Sequence, residues 1–558
     1  MTETEIKAGR PAKAAGLNGA RRHAHPGLVL LVIAGAQMMV VLDGTIVNIA
    51  LPSMGSYFHK SQTDMTWALN AYTLAFGGLL LLGGRMGDIL GRRRMFVTGL
   101  GLFTLGSFLA GIAPSFGLLL AGRVIQGVGG AIASPTALSL ITNEFDEGEA
   151  RTKAIGVYAA VSGAGAALGL LLGGVLTNYL SWRWVLFVNV PIGIALILGA
   201  LAYVSDSERL KGKFDVVGAL LSVAGMFATV YGFIHVARDG WGNTQTFVMF
   251  ALAIVLLAAF VFYEAKVVAE PMMPMRIFED RNRSGAYIVM FVAGAAMFGL
   301  FYFITFFTQG VLDFSALKTG FSFLPVAFVI GIVSQLVARV LGRSGPKPII
   351  VLGTLLMTSA MVWFSQVDAG THYLTGLVPG MVLLAMGMGC LFVPLTSAAV
   401  SRVKNTDAGL ASALLNVGQQ VGGALGLSVM TTVFGTSGRN YAAGHKGALV
   451  SKLMQSVDGN RQLAGAIAGR VQQAGSSGLQ RSDIKKFVDG LPPSQRETAG
   501  KFFAGPYRDF THGLLAHASG QGFLTGVGFG VVAFLAAVLL INVSKKDLPA
   551  EPVAVGAV

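Results

Sequence analysis

The sequence predicts an all-α membrane protein with fourteen transmembrane helices, and three observations lead there. Of the 558 residues, 53% are hydrophobic and only 12% charged, with a mean hydropathy of +0.66 and 75 glycines, outside the range of soluble domains. A helix needs about 20 apolar residues to cross the hydrocarbon core. Fourteen segments qualify: 28–51, 66–84, 95–113, 117–142, 153–178, 183–204, 214–236, 246–264, 285–310, 319–341, 349–366, 374–398, 408–434 and 521–543. The third observation is that Lys and Arg alternate in density from one short connection to the next, as they do in a chain that crosses a bilayer repeatedly.

That alternation orients the helices. The two tails and the even-numbered connections hold 25 of the 41 Lys and Arg, whereas the opposite short connections hold only Lys60, Arg183, Arg238 and Lys318. The positive-inside rule then places both termini in the cytoplasm, with residues 1–27 and 544–558 as tails and the protein in the cytoplasmic (inner) membrane. Arg21-Arg22 lacks the surroundings of a twin-arginine signal and no small-residue cleavage site follows a short apolar region, so the first stretch reads as an uncleaved tail.

The same distribution explains the net charge of +14 without nucleic acid, because the basic residues sit in short loops and form no patch with interleaved aromatics. The single cysteine, Cys390, lies in an apolar run and excludes an intrachain disulfide or a cysteine-rich metal site. No Walker loop, zinc spacing or nucleophile elbow is present, so neither an enzyme nor ATP coupling is expected, and no metal or cofactor. Residues 435–520 carry eleven basic residues and are too long for the charge rule. They read as an extracytoplasmic insertion in which Gln462–Gly475 and Asp483–Leu491 form short surface helices, with disorder as the alternative.

Between spans two and three stands GRMGDILGRRR, Gly84 to Arg94. Its glycines permit a tight turn, its arginines stay at the cytoplasmic face, and Asp88 suits a neighbouring helix N-terminus. Gly84, Met86, Asp88, Gly91, Arg92 and Arg93 together resemble the corresponding loop of the major facilitator superfamily. A degraded echo, Ala338 to Lys347, follows span ten, keeping Gly342-Arg343 but lacking the acid. It falls in the second half if spans seven and eight are an inserted pair. The resemblance therefore implies two six-helix bundles, 28–204 and 266–543, with two inserted helices in 205–265 and the 435–520 insertion in the second bundle. It also implies a cytoplasmic gate in which Asp88 meets the N-terminus of span eleven when the cytoplasmic side is closed. A purely topogenic basic loop is the alternative.

Two charges lie within spans. An ionised Asp43 in span one is costly and so a functional candidate. Counting from the outer ends, it lies about 12 Å deep and Arg123 of span four about 9 Å deep at 1.5 Å per residue. At shared depth the two can pair, with protonation of Asp43 changing the contact during transport; a permanent structural pair is the alternative. Arg123 opens RVIQGVGG and, with Gln126, Gly127 and Gly129, resembles the span-four motif of proton-coupled antiporters, whose arginine the family assigns to proton transfer. Because a guanidinium stays charged, its role is to tune a carboxylate or hold a water.

In span five Gly163, Gly165, Gly169, Gly173 and Gly174 gather on nearly one face and resemble the antiporter signature of exporters, except that the family's Gly-Pro is Gly169-Leu170 here. Trp182 and Trp184 suit the membrane interface. Trp67 to Tyr72, Ser134-Pro135-Thr136 and the run Gly409, Ala411, Ser412, Asn416, Gln419, Gln420, Gly422, Gly423 and Gly426 are similar to the fourteen-span drug:proton antiporters, particularly actinobacterial ones. The resemblance implies export of small amphipathic drugs, antibiotics or secondary metabolites, cationic or neutral, by alternating access. A proton gradient is the energy source, the bilayer and protons are the partners, and the protein is a monomer. Asn48, Gln126, Phe301, Asn416, Gln419 and Gln420 are the candidate cavity residues. One or two aromatics of the Phe-rich span nine join them, although helix–helix hydrogen bonds would equally employ the amides. A lipid transporter on the same scaffold, or a receptor or scaffold acting through residues 435–520, are the alternatives.

Overall fold

The computed structural model describes residues 25–543 apart from 147, 207–208, 210–211, 402, 404–407, 458–459, 475–478 and 480, so the proposed tails fall almost wholly outside the described residues. The described secondary structure is helical, without a strand. The helices are α1 (Pro26–Phe58), α2 (Gln62–Leu90), α3 (Arg92–Gly111), α4 (Phe116–Glu144), α5 (Glu149–Tyr179), α6 (Trp184–Tyr203), α7 (Val216–Asp239), α8 (Thr244–Lys266), α9 (Arg281–Gly310), α10 (Ala316–Ser344), α11 (Pro346–Phe364), α12 (Tyr373–Val400), α13 (Ala408–Ser456), α14 (Arg461–Ala474), α15 (Arg481–Asp489) and α16 (Pro493–Leu539).

Among the described residues, 13 of these are long and apolar enough to cross a membrane. The remaining predicted span, in α13, is also helical. Its Asn416, Gln419, Gln420, Ser428, Thr431 and Thr432 dilute its hydropathy, as expected of a helix whose polar side chains turn toward protein instead of lipid. Several helices overrun the predicted spans because local capping carries them past the bilayer: Ser61 and Asp64 form a capping box that starts α2.

Helices α1–α6 pack as one bundle and α9–α13 with α16 as another. The α7–α8 hairpin lies against α2 and α13, with the Trp67 and Phe227 rings tilted against each other at 5.3 Å. For orientation, the face where α1 begins and α16 ends is called the tail face, and the opposite one, bearing residues 435–520, the insertion face.

The bundles meet mainly through the helix pairs α2–α13 and α5–α10, and α9 also reaches α1 across the seam. Among the described residues, the hydrogen bonds that cross between them lie in the half toward the insertion face. Asn70 donates to Ser428 at 3.0 Å, Gln309 Nε2 donates to the Ile49 carbonyl at 3.0 Å, and Tyr302 Oη donates to the Gln62 carbonyl. This structure is therefore fastened shut on that face.

Close helix approach depends on missing side chains. The span-five glycines split into two sets, not one face. Gly165, Gly169 and Gly173 follow one another at i, i+4 and i+8 along α1, where a Cβ on Gly169 would lie 2.7 Å from the Leu42 carbonyl. Gly174 instead faces the other bundle, where a Cβ would lie 2.9 Å from the Ala316 carbonyl of α10. Trp182 also departs from expectation. It is buried against Tyr57, Phe58 and the guanidinium of Arg183, while Trp184 stays exposed.

Residues 435–520 extend the membrane helices: α13 and α16 run on beyond the bundle and enclose α14 and α15. Leu453, Ile467, Ala499, Phe502, Phe503 and Tyr507 form a separate apolar core there.

Because Gly174 touches only the seam between bundles, Gly174→Val should wedge that seam without damaging either bundle. A cysteine placed at Leu317 in a Cys390→Ser background should then label faster with a maleimide. Gly169→Val should instead destabilise the first bundle by about 1–3 kcal/mol, the usual cost of overpacking, and lower the yield of folded protein.

Candidate functional site

Asp43 and Arg123 meet in the interior of the first bundle, with side chains 0% and 1% exposed. α1 brings the carboxylate, α4 the guanidinium, and the small residues that let α4 approach α2 and α3 leave room for little else. A Cβ on Gly127, one turn from Arg123, would lie 2.5 Å from the Tyr72 carbonyl.

Three donors converge on the carboxylate. Arg123 Nη1 lies 2.5 Å from Oδ2, Gln126 Nε2 2.6 Å from Oδ1, and Asn189 Nδ2 2.8 Å from Oδ1. All three partners are N–H groups, to which a carboxylate oxygen is the acceptor, and charge-assisted bonds of this length are the strong kind. The guanidinium is held as firmly, donating through Nε to the Ala68 carbonyl at 3.0 Å and through Nη1 to Gln126 Oε1 at 2.8 Å. Tyr72 places its ring 4.4 Å from the guanidinium carbon, a cation–π contact. Gln126 Nε2 also lies 2.6 Å from Ser107 Oγ. Two polar atoms of the knot, Arg123 Nη2 and Asn189 Oδ1, have no hydrogen-bond partner among the described residues.

The sequence reading placed Gln126 in a substrate cavity; the structure commits it to Asp43 and Arg123. The sequence gives no role at this pair to Asn189, Ser107 or Tyr72, although Asn189 before Pro191 at the start of a span was a usable sign of a buried amide with a fixed partner.

The other predicted cavity residues are dispersed. Asn48 is buried and donates to the Gly44 carbonyl one turn back, at 2.9 Å. Phe301 packs on Phe323 at 5.4 Å, in a core that takes up most of the span-nine aromatics. On α13, Gln420 lies against Gly77 of α2, while Gln419 Nε2 is 3.8 Å from Met297 Sδ. Gln419 Oε1 and Asn416 Oδ1 are buried without a hydrogen-bond partner among the described residues.

At the tail face, Gly91 turns the chain with φ 105° and starts α3. Gly84 lies against Pro135 of α4. Asp88 accepts from Arg92 Nε at 3.2 Å and Nη2 at 3.0 Å, so its carboxylate is engaged by the loop's own arginine and not by the N-terminus of α11. Arg92 also donates to the Ser139 carbonyl, and Arg93 to the Leu201 carbonyl. Arg85 pairs with Glu270 at 2.6 Å and holds that exposed carboxyl below its ordinary range. In the second half the turn before α11 is made by Gly345, φ 75°. Aligning Gly345 with Gly91 sets Gly342, not an acid, opposite Asp88.

The family model described as the Major Facilitator Superfamily matches residues 33–427. The chain belongs to the major facilitator superfamily. Within this superfamily it is a membrane transporter and not an enzyme. It is 43% identical over 420 residues to the puromycin resistance protein of Streptomyces alboniger, covering 75% of this chain and 83% of that one. It is 38% identical to the cephamycin export protein of Amycolatopsis lactamdurans, covering 73% and 85%. Among solved structures, an inward-facing, unoccupied bacterial homologue of the human lysosomal transporter Spinster shares the fold, with a TM-score of 0.59, 17% identity, and coverage of 94% and 99%.

Removing one partner of a buried ion pair strands the other. Arg123→Met should therefore cost about 3–5 kcal/mol and lower the melting temperature in detergent, whereas Asp43→Asn/Arg123→Met should recover most of that loss. Equal melting of the single and double variants would show that the pair carries no electrostatic strain when broken.

Proposed function

We propose that this transporter exports amphipathic drugs, antibiotics or secondary metabolites across the cytoplasmic membrane in exchange for protons. The relatives named for puromycin resistance and cephamycin export support the direction and the solute class. The observation that carries the coupling is the Asp43–Arg123 pair, a carboxylate sealed from solvent against a guanidinium within a bundle that must rearrange to transport.

On this reading Asp43 is the proton carrier. Protonation turns an acceptor of three hydrogen bonds into a neutral acid and removes the attraction to Arg123. The guanidinium stays charged and keeps Gln126, the Ala68 carbonyl and the face of Tyr72 as partners. Arg123 thus sets the affinity of Asp43 for its proton and does not carry it. Asn416 and Gln419 supply polar contacts for the solute from the second bundle. The tail face is cytoplasmic, in line with the basic loops, and the protein acts as a monomer.

The tail-face loop acts as a latch. Asp88 holds Arg92, and Arg92 holds the end of α4. In a Cys390→Ser background, a cysteine at Ala413, which packs against the first bundle, reports on the neighbouring seam. Asp88→Asn should raise its labelling from the cytoplasmic side several-fold; unchanged labelling would reduce the loop to a topological signal.

Inverted vesicles measure the coupling. Wild type should accumulate puromycin or a related amphiphile when the interior is acidified, and Asp43→Asn should lose at least about tenfold of the gradient-driven rate, as expected for a group acting as proton donor and acceptor. An unimpaired Asp43→Asn, or accumulation that ignores the gradient, would remove Asp43 from the coupling mechanism.

A further inference from the structure

Residues 435–520 lie beyond the family match, which ends at residue 427, and the efflux reading leaves them unused. They are nevertheless built as a cap with its own apolar core. Between this cap and the insertion-face ends of the transport helices lies a cleft of about 1340 Å³, above the roughly 300–1,000 Å³ common for sites that hold drug-sized molecules.

The floor of the cleft is the closed seam itself. Gln62 and Gln309 line it, and these residues supply the bonds that join the bundles at the Gln62 carbonyl and the Ile49 carbonyl. The side-chain oxygen of Gln62 is buried and has no hydrogen-bond partner among the described residues. When the seam parts, the transport path opens into this space.

The walls are amphipathic. Leu449, Leu453, Phe502 and Phe503 give an apolar side contributed by the cap. The charged lining is cationic, with six Lys and Arg against three Asp. Two of those acids are already engaged: Asp313 with Arg508 at 2.5 Å, and Asp64 in the capping box of α2. Lys446 of α13 and Lys485 of α15 have no carboxylate partner among the described residues, and both belong to the cap.

We infer that the cleft under the cap is a release-side binding site for an exported amphipathic anion, its apolar body against Leu449, Leu453 and Phe502 and its acidic group on Lys446 and Lys485. The release role rests on the efflux reading; the binding chemistry does not. A permanently cationic solute would meet like charge here, so the cap biases release toward acids.

The test is equilibrium binding of a dansylated long-chain carboxylic acid, and of its uncharged methyl ester, to full-length protein in phosphatidylcholine nanodiscs, with empty nanodiscs subtracted. Wild type should bind the acid about tenfold more tightly than the ester, the scale of one or two partly solvated ion pairs. Lys446→Glu/Lys485→Glu should lose that preference while still binding the ester, which also shows that the variant is folded. Equal binding of acid and ester to wild type, or a preference that survives the double substitution, overturns the site. Displacement of the acid when phosphatidylglycerol is added to the nanodiscs makes the occupant a membrane lipid and overturns the release role. Because no gradient is applied, acid preference without any export in vesicles would retain the site and reject efflux. Export without acid preference would reject the site alone.

Discussion

A charge set inside the hydrocarbon core has to be answered within the protein, and the first bundle is arranged around that requirement. Asp43 is answered by Arg123, Gln126 and Asn189, drawn from α4 and α6, so four of the bundle's helices are tied together through one carboxylate and the residues that hold Arg123. The requirement also explains the neighbouring sequence. α4 can carry an arginine to this depth only because Gly122, Gly127 and Gly129 let it lie directly against the α2 and α3 backbones. The glycines bring the backbones together; the ion pair decides which backbones.

Among the described residues the second bundle has no equivalent knot, and its polar groups behave differently. Arg283 is spent on the carbonyls of Ile277 and Ala399 near the tail face. On α13 the hydroxyls of Ser428, Thr431 and Thr432 bond to carbonyls of their own helix, while Asn416 and Gln419 keep buried oxygens without a partner. The two halves thus differ: the first holds a buried ion pair in a net of hydrogen bonds, although Arg123 Nη2 and Asn189 Oδ1 stay unpaired there, and the second holds unpaired amide oxygens and no such pair among its described residues. The proposed proton–solute exchange uses that difference.

Much of this was legible in the sequence where one-dimensional signals suffice. Span length and apolar composition located the helices, because backbone hydrogen bonds must close within each segment in lipid. Matching depth brought Asp43 and Arg123 into consideration as neighbours, since rise per residue is a fixed quantity. What escaped needed the angular position of side chains about their helices. Gly173 and Gly174 are adjacent in sequence yet serve different interfaces, because one residue is a rotation of about 100°. Gln126 looked as available as Gln419 until the fold turned it toward Asp43. The echo at Gly342 invited alignment by glycine count, whereas the residue that makes the turn, with positive φ, is Gly345.

α1 gives the proposed coupling a physical route. It carries Asp43, the Leu42 carbonyl and Thr45 that lie against Gly169 of α5, and the Ile49 carbonyl that accepts from Gln309 across the seam. Asp43 and Ile49 are separated by about 9 Å of helix rise, too short a length to bend without moving both. A change in the pull between Asp43 and Arg123 therefore acts on the same rigid element that closes the insertion face, and α5, locked to α1 by missing side chains, moves with it and carries Gly174 away from α10. Protonation chemistry in one bundle can in this way reach the α1–α9 and α5–α10 contacts through packing alone, with no charge transferred between the bundles.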